Sequence, residues 1–236
     1  MGHFMQYTPY TIPLVIAAIL ASGVAAYAWK HRSIRSAVPF AILATAIAGW
    51  TLGYALQLTS VTLEAKRLFA NFEYIGITIV PVAWLIFTVD FSNSDTWVSR
   101  RYLAWLMAIP TITIVLAWTD QHHGLVRTHE GLEDTGQFVL AITKFGPWFW
   151  VHAIYSYVLL VTGTVVIARF LIRSPPLYKR QAFLILASVL GPTFLNVIYL
   201  LKLSPFPNLD LTPFGFIIMG LASFWALHEF RLFDIV

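Results

Sequence analysis

The sequence predicts an all-α integral membrane protein, a bundle of seven transmembrane helices with its N-terminus outside and its C-terminus in the cytoplasm. Two observations carry the fold class. Hydrophobic residues make up 58% of the 236 and charged residues only 11%, with a mean hydropathy of +0.74, whereas soluble domains run at about 25% charged. Seven apolar segments are also long enough for a bilayer, which needs about 20 residues each.

The segments fall near 10–29, 37–59, 66–90, 103–119, 147–172, 180–202 and 211–229. The first is read as an uncleaved helix, because no positive charge precedes it and Lys30, Arg32 and Arg35 follow. Orientation follows from the basic residues. N-out topology puts Lys30, Arg32, Arg35, Arg100, Arg101, Arg169, Arg173, Lys179, Arg180 and Arg231 on the inner side, ten in all. It leaves five outside, namely Lys66, Arg67, Arg127, Lys144 and Lys202. Short loops enriched in Lys and Arg face the cytoplasm. The longest connection, about 120 to 146, is then an outer loop. No repeat of the transporter kind is visible, so the chain is read as one seven-transmembrane domain, 1–236.

Composition also excludes chemistry. Without cysteine there are no disulfides, thiolate metal sites or cysteine nucleophiles. The net charge of +4 follows membrane topology, so no nucleic-acid partner is implied. No Walker loop or Ser–His–Asp signature is present, and helix 7, LTPFGFIIMGLASFWALHEF, has no lysine for a retinal Schiff base. His122, His123 and His129 form only a weak metal pattern. No catalytic residue, metal or cofactor is expected.

The informative residue is Glu73, inside the apolar stretch FANFEYIGITIVPVAWLIF. It lies roughly 10 Å from the end of helix 3 at 1.5 Å per residue. An acid at that depth costs a few kcal/mol and must be neutral, paired or facing a wet cavity. Two readings stand: a neutral or hydrogen-bonded clamp between helices, or a ligand-contacting or proton-sensing acid facing a cavity. Ile77, Val80 and Trp84 share its face. Helix 2 carries Trp50, Tyr54 and Gln57 at i, i+4 and i+7, and helix 5 carries Trp148, His152 and Tyr155 at the same spacing. Helix 6 adds Asn196 and Tyr199, and helix 7 begins at Asp210, with Asp210 or Thr212 as its cap and Pro213 in its first turn. Pro81 and Pro192 interrupt helices 3 and 6. These groups gather in the outer halves of their helices, Trp84 excepted. They are read as an aromatic-walled ligand pocket, the alternative being an interfacial aromatic belt. A small amphipathic or aromatic molecule suits it, with a cation as second choice.

Trp50 followed by FEYIGI, TDQHHGL, GPWFWVHAIYSYVLL, PLYKRQ, LDLTPFGF and RLFDIV, in that order, resembles the seven-transmembrane sensor region at the N-terminus of archaeal and bacterial histidine kinases. The resemblance covers roughly 10 to 236. It rests on Phe72, Glu73, Tyr74 and Gly76, His123 and Gly124, Gly146, Pro147, Trp148, His152 and Tyr155. It continues through Tyr178, Arg180 and Gln181, Asp210 to Pro213, Arg231 and Asp234. It implies a sensory role for the bundle ahead of cytoplasmic PAS, histidine-kinase or cyclase modules, and supplies no common ligand. Taken with the pocket and the helix 7 exit, the chain is read as a sensor for an extracellular or membrane-borne small molecule, signalling through helix 7 to a cytoplasmic kinase module on the same or a partner chain, as a homodimer in the cell membrane. No phosphoacceptor or ATP-binding segment follows within these residues, so no enzymatic activity is expected of them. A transporter or channel, or a ligand-free membrane anchor, are the alternative readings.

Overall fold

The computed structural model describes residues 5–92, 100–173, 175–204 and 207–229. Among them are seven long α-helices: α1 (Thr11–Lys30), α2 (Ala37–Thr59), α3 (Leu63–Phe91), α4 (Arg100–Trp118), α5 (Pro147–Arg173), α6 (Pro176–Leu200) and α7 (Thr212–Glu229). Six are long and apolar enough to cross a membrane, and α7 contributes the shorter apolar stretch Thr212–Ala222. The helices fall within a few residues of the segments expected from hydropathy. Large apolar side chains such as Ile19, Ile154, Val158, Val161, Phe183 and Phe194 point out of the bundle, as lipid-facing positions do. The exit segment with Phe230, Arg231, Leu232, Phe233, Asp234, Ile235 and Val236 lies outside the described residues. So do the side chains of Tyr178, Arg180 and Gln181.

Consecutive helices pack side by side, and α1 closes the ring against α7. α3 is the pivot, touching α2, α4 and α5. It begins at an N-cap, where the Thr62 hydroxyl accepts from Ala65 N–H at 3.3 Å, with Glu64 in the first turn where the helix dipole favours an acid. Two glycines set how closely α3 is approached. A Cβ on Gly76 would stand 2.4 Å from the Ala46 carbonyl oxygen of α2. A Cβ on Gly163 of α5 would stand 2.6 Å from Trp84 Nε1. The missing side chain lets the α2 and α3 backbones touch at Gly76 and seats the Trp84 indole against α5 at Gly163.

The connection expected as an outer loop is different in one respect. After a short 3-10 turn (Asp120–His122) it forms an antiparallel hairpin, β1 (Arg127–Asp134) and β2 (Val139–Phe145), with a bulge between His129 and Gly131. The turn at its tip is closed by Asp134, whose carboxylate accepts from Gly136 N–H at 2.8 Å, with Gly136 at φ +79°. The Asp120 carboxylate receives the backbone N–H groups of Val126 and Arg127 at 2.9 and 2.7 Å, which fixes where β1 begins.

The hairpin lies across one end of the bundle and is tied on three sides. Gln6 bonds the backbone of Val139 and of Leu58, Arg67 of α3 donates to the His129 carbonyl, and Asn208 donates to Glu133 at 2.7 Å. Phe138 is buried against Leu14, Tyr54, Leu58 and Leu209. Toward the other end the core is apolar: Leu43 and Ile47 of α2, Trp84 and Phe87 of α3, Ile167 of α5, Val189 of α6 and Met219 of α7.

Candidate functional site

Under the hairpin lies a cavity with about 180 Å³ open to the centre of a water molecule. One bound water needs only about 10–15 Å³ by that measure, so the space exceeds a structural water site. Its walls come from α2, α3, the hairpin, α5, α6 and the start of α7.

The cavity has two zones, ordered by position along the helices. Deep in the bundle the lining is Ile47, Ile77, Val80, Trp84, Val189 and Phe216, with Pro81 and Pro192 beside them. Near the hairpin the lining turns polar: Tyr54 and Gln57 from α2, Lys66 and Glu73 from α3, Arg127 and His129 from β1, then Asn196, Tyr199 and Asp210.

The polar zone contains charges whose partners are unusual. Lys66 is 1% exposed, and its ammonium donates one bond, to the Gln57 carbonyl at 2.9 Å. Glu73 is 6% exposed, and its Oε1 has no hydrogen-bond partner among the described residues. Ion pairs within 4 Å among those residues are Arg35–Asp90, His123–Asp120 and Lys144–Glu130, so neither Lys66 nor Glu73 has one. Buried charges are normally paired, because desolvation is costly. Arg127 is held by neutral groups, donating to the Ala70 carbonyl and Asn71 and resting 4.5 Å from the centre of the Tyr74 ring.

Three further buried polar atoms lack a partner among the described residues: Thr11 Oγ1, away from the cavity, and Trp50 Nε1 and His129 Nε2, whose residues line the same space. The other ring nitrogen of His129 lies 3.0 Å from the Thr143 hydroxyl. Burial pushes the His129 imidazole down to about 3, and the positive Arg127 and Arg67 add to the shift. Such clustering matters because unsatisfied buried polar atoms are rare and call for an explanation.

A chain of hydrogen bonds runs along the wall toward α7. Tyr157 of α5 donates to Asn196 of α6 at 2.7 Å, and the Asn196 amide donates to the Thr212 hydroxyl at 2.9 Å. The Thr212 backbone N–H donates to Asp210 Oδ1 at 2.8 Å, and Asp210 N–H donates to the Tyr54 hydroxyl at 2.7 Å. Asp210 is thus the residue that caps the head of α7 and also a cavity wall. Burial raises its carboxyl to about 6, opposed by the hydrogen bonds from Thr212.

Of the residues singled out from sequence, Trp50, Tyr54, Glu73, Trp84, His152, Asn196, Tyr199 and Asp210 are brought together around this space. Trp148 and Tyr155 are not. Trp148 donates its indole N–H to the Thr113 hydroxyl at 2.9 Å, and Tyr155 donates to the Leu106 carbonyl, both on α4. The reason is angular. At about 100° per residue Trp148 and Tyr155 lie within about 20° of each other, facing α4. The cavity face is carried by Phe149, Ala153, Ser156 and Leu160, with His152 on the edge between the two.

Sequence reasoning missed Lys66, Arg127 and the cavity role of His129, having read the first two as topological charges and the third as a weak metal candidate. A signal for Lys66 existed: it precedes Glu73 by two helical turns on one face. The histidines diverge, with His123 bonded to Thr119 and Leu125 while His129 faces the cavity. No cluster of metal-ligating side chains occurs among the described residues.

The family described as the N-terminal 7TM region of histidine kinase matches residues 13–236. The chain belongs to that family. No curated protein matches it.

Proposed function

We propose that this membrane sensory module detects a small molecule in the cavity beneath the hairpin and transmits its occupancy through α7 to a cytoplasmic histidine-kinase module. The observation that carries the reading is Glu73. It is a buried acid whose Oε1 has no partner among the described residues, in a space that also holds two other such polar atoms. Intramembrane ionisable groups mark functional sites by default. The amphipathic lining suits a compact ligand with a polar head and an apolar or aromatic body. The reading places the hairpin outside the cell, following the positive charges, and the kinase module inside, on this chain or a partner chain. It also includes pairing of two copies, as a symmetric route to a kinase output.

The route to α7 is the hydrogen-bonded chain Tyr157–Asn196–Thr212–Asp210–Tyr54. A ligand that draws on Asn196 or Asp210 pulls on the head of α7, and an interface with two packings converts a small shift into a discrete change.

Screening small molecules by thermal shift on the purified protein tests the proposal. A ligand at 100 times its Kd adds about 2.7 kcal/mol of stability, a rise of several degrees in Tm for a protein of this size. The hits are expected to disappear in Ala153→Trp, which fills the cavity. No hit, or hits indifferent to Ala153→Trp, would remove the receptor reading. Uptake of a hit into liposomes would replace it with a transporter. A cytoplasmic reporter active at the N-terminus would reverse the orientation.

A further inference from the structure

We infer that the occupant is a net-neutral zwitterion with an apolar body, its anionic group held at Lys66 and its cationic group at Glu73. The inference rests on the receptor reading above and specifies the chemistry of that site.

Lys66 and Glu73 are opposite charges on one helix, seven residues apart, about 10 Å along the axis at 1.5 Å per residue. Seven residues is two turns, so both side chains leave the same face of α3, and both line the cavity. Each is more than nine-tenths buried. The ammonium of Lys66 has three donors and gives one to a backbone carbonyl. The carboxylate of Glu73 leaves one oxygen with no partner among the described residues. The two do not form an ion pair with each other. A helix that wanted only a structural clamp has a cheaper arrangement, with the charges three or four residues apart and in contact. Two turns of separation is not a contact spacing, and in this structure the ammonium turns to the Gln57 carbonyl and lies more than 4 Å from the Glu73 carboxylate, which leaves room for a ligand's head between them.

The other charged groups of the polar zone balance. Arg127 adds a cation and Asp210 an anion; each is hydrogen-bonded to neutral partners and, although both act on Glu73 across the cavity, neither forms an ion pair with Glu73 or Lys66. A ligand with one charge would satisfy one pole and leave the other uncompensated in a low-dielectric space, which is costly. A neutral ligand would leave both. A molecule with both charges meets Lys66 and Glu73 together. Its body then extends into the deep zone, where Ile77, Val80, Trp84 and Phe216 offer apolar contact and Trp50 offers an indole N–H at the boundary.

Binding to the purified full chain tests this with three-member sets: an amino acid with an apolar side chain, the amine left by removing its carboxyl, and the acid left by removing its amine. Phenylalanine, phenethylamine and 3-phenylpropionate form one set; leucine, 3-methylbutylamine and 4-methylpentanoate form a second with a smaller body. At least one zwitterion is expected to bind at least tenfold more tightly than either of its single-charge partners. Lys66→Gln should weaken the zwitterion at least tenfold and leave the matching amine unchanged. Glu73→Gln should weaken the zwitterion and leave the matching acid unchanged. Variants that do not elute as monodisperse protein are replaced by Lys66→Arg and Glu73→Asp, which keep the charges and should retain the preference for a zwitterion. A single-charge or neutral compound binding as tightly as every zwitterion, or the same ranking in wild type and both Gln variants, would overturn the inference. Binding of neutral compounds alone would overturn it while leaving the receptor intact. Silence from all compounds, charged and neutral, would remove both.

Discussion

Helix α3 carries two acids, Glu73 near the hairpin and Asp90 near its far end, and the protein treats them oppositely. Asp90 meets Arg35 at 2.8 Å, its side chain 12% exposed and that of Arg35 39% exposed. Glu73 is more deeply buried and meets no cation at bonding distance. Between them the core is apolar, built around Trp84, which also walls the deep end of the cavity, and Phe87. A fold selected only for stability pairs an acid or omits it. Here the far end follows that rule and the hairpin end departs from it, and the departure coincides with a cavity. In the proposed reading the hairpin end holds the ligand's polar head, while Trp84 serves both as core and as the deep wall of the cavity.

The largest expected effect comes from breaking the apolar half. Trp84→Ala should cost about 3–5 kcal/mol of stability, through lost burial and the cavity left behind. Trp84 is 1% exposed and seated against Gly163. A Tm in detergent that falls by less than a few degrees would show that this half does not carry the fold.

A smaller effect concerns the hairpin lid. His129 is held down to about 3 in the folded protein against about 6.5 in an unfolded chain. Its neutral form therefore contributes stability fully above about pH 6.5, and that contribution is lost as pH falls toward 3. The unfolded state binds the extra proton in that window, with a slope of at most about 1.4 kcal/mol per pH unit. Asp210, raised to about 6, works the other way over part of the range. The decisive quantity is therefore the difference between wild type and His129→Phe. Wild type should lose Tm faster than the variant between pH 6.5 and 4.5. Parallel curves would place His129 in solvent.

The smallest effect sharpens the contrast between the two acids. Asp90→Asn should cost less than about 1 kcal/mol, since part-exposed pairs are worth little. Glu73→Met should cost nothing or raise stability by about 1 kcal/mol, because a buried charge with no partner is replaced by an apolar group. Equilibrium unfolding in mixed micelles gives both values. A large loss for Glu73→Met would make Glu73 a structural clamp.

Much of this was legible along the chain. The helices follow from apolar runs of bilayer length, a local property. Trp50, Tyr54 and Gln57 were found because all three follow one helical face that is the cavity face. Trp148 and Tyr155 failed the same test, since periodicity shows that side chains share a face but not what that face meets. The hairpin had its own signals, with Thr135–Gly136 at a turn between RTHEGLED and VLAITKF. They were passed over because residues between membrane spans read as loop.

The sequence by itself determined the bundle, the family and the presence of an acid at membrane depth. These depend on composition, order and spacing within single segments. Only the tertiary structure decided that Glu73 and Lys66 stay unpaired, that Arg127 and His129 roof the same space, and that Asp210 closes it while heading α7. Whether Lys66 and Glu73 pair depends on the rotamers their surroundings impose, and the rest of the roof is a matter of distances between groups far apart along the chain. Lys66, Arg127 and Asp210 come from a helix, a hairpin and a connection, and nothing local to any of them says that they meet.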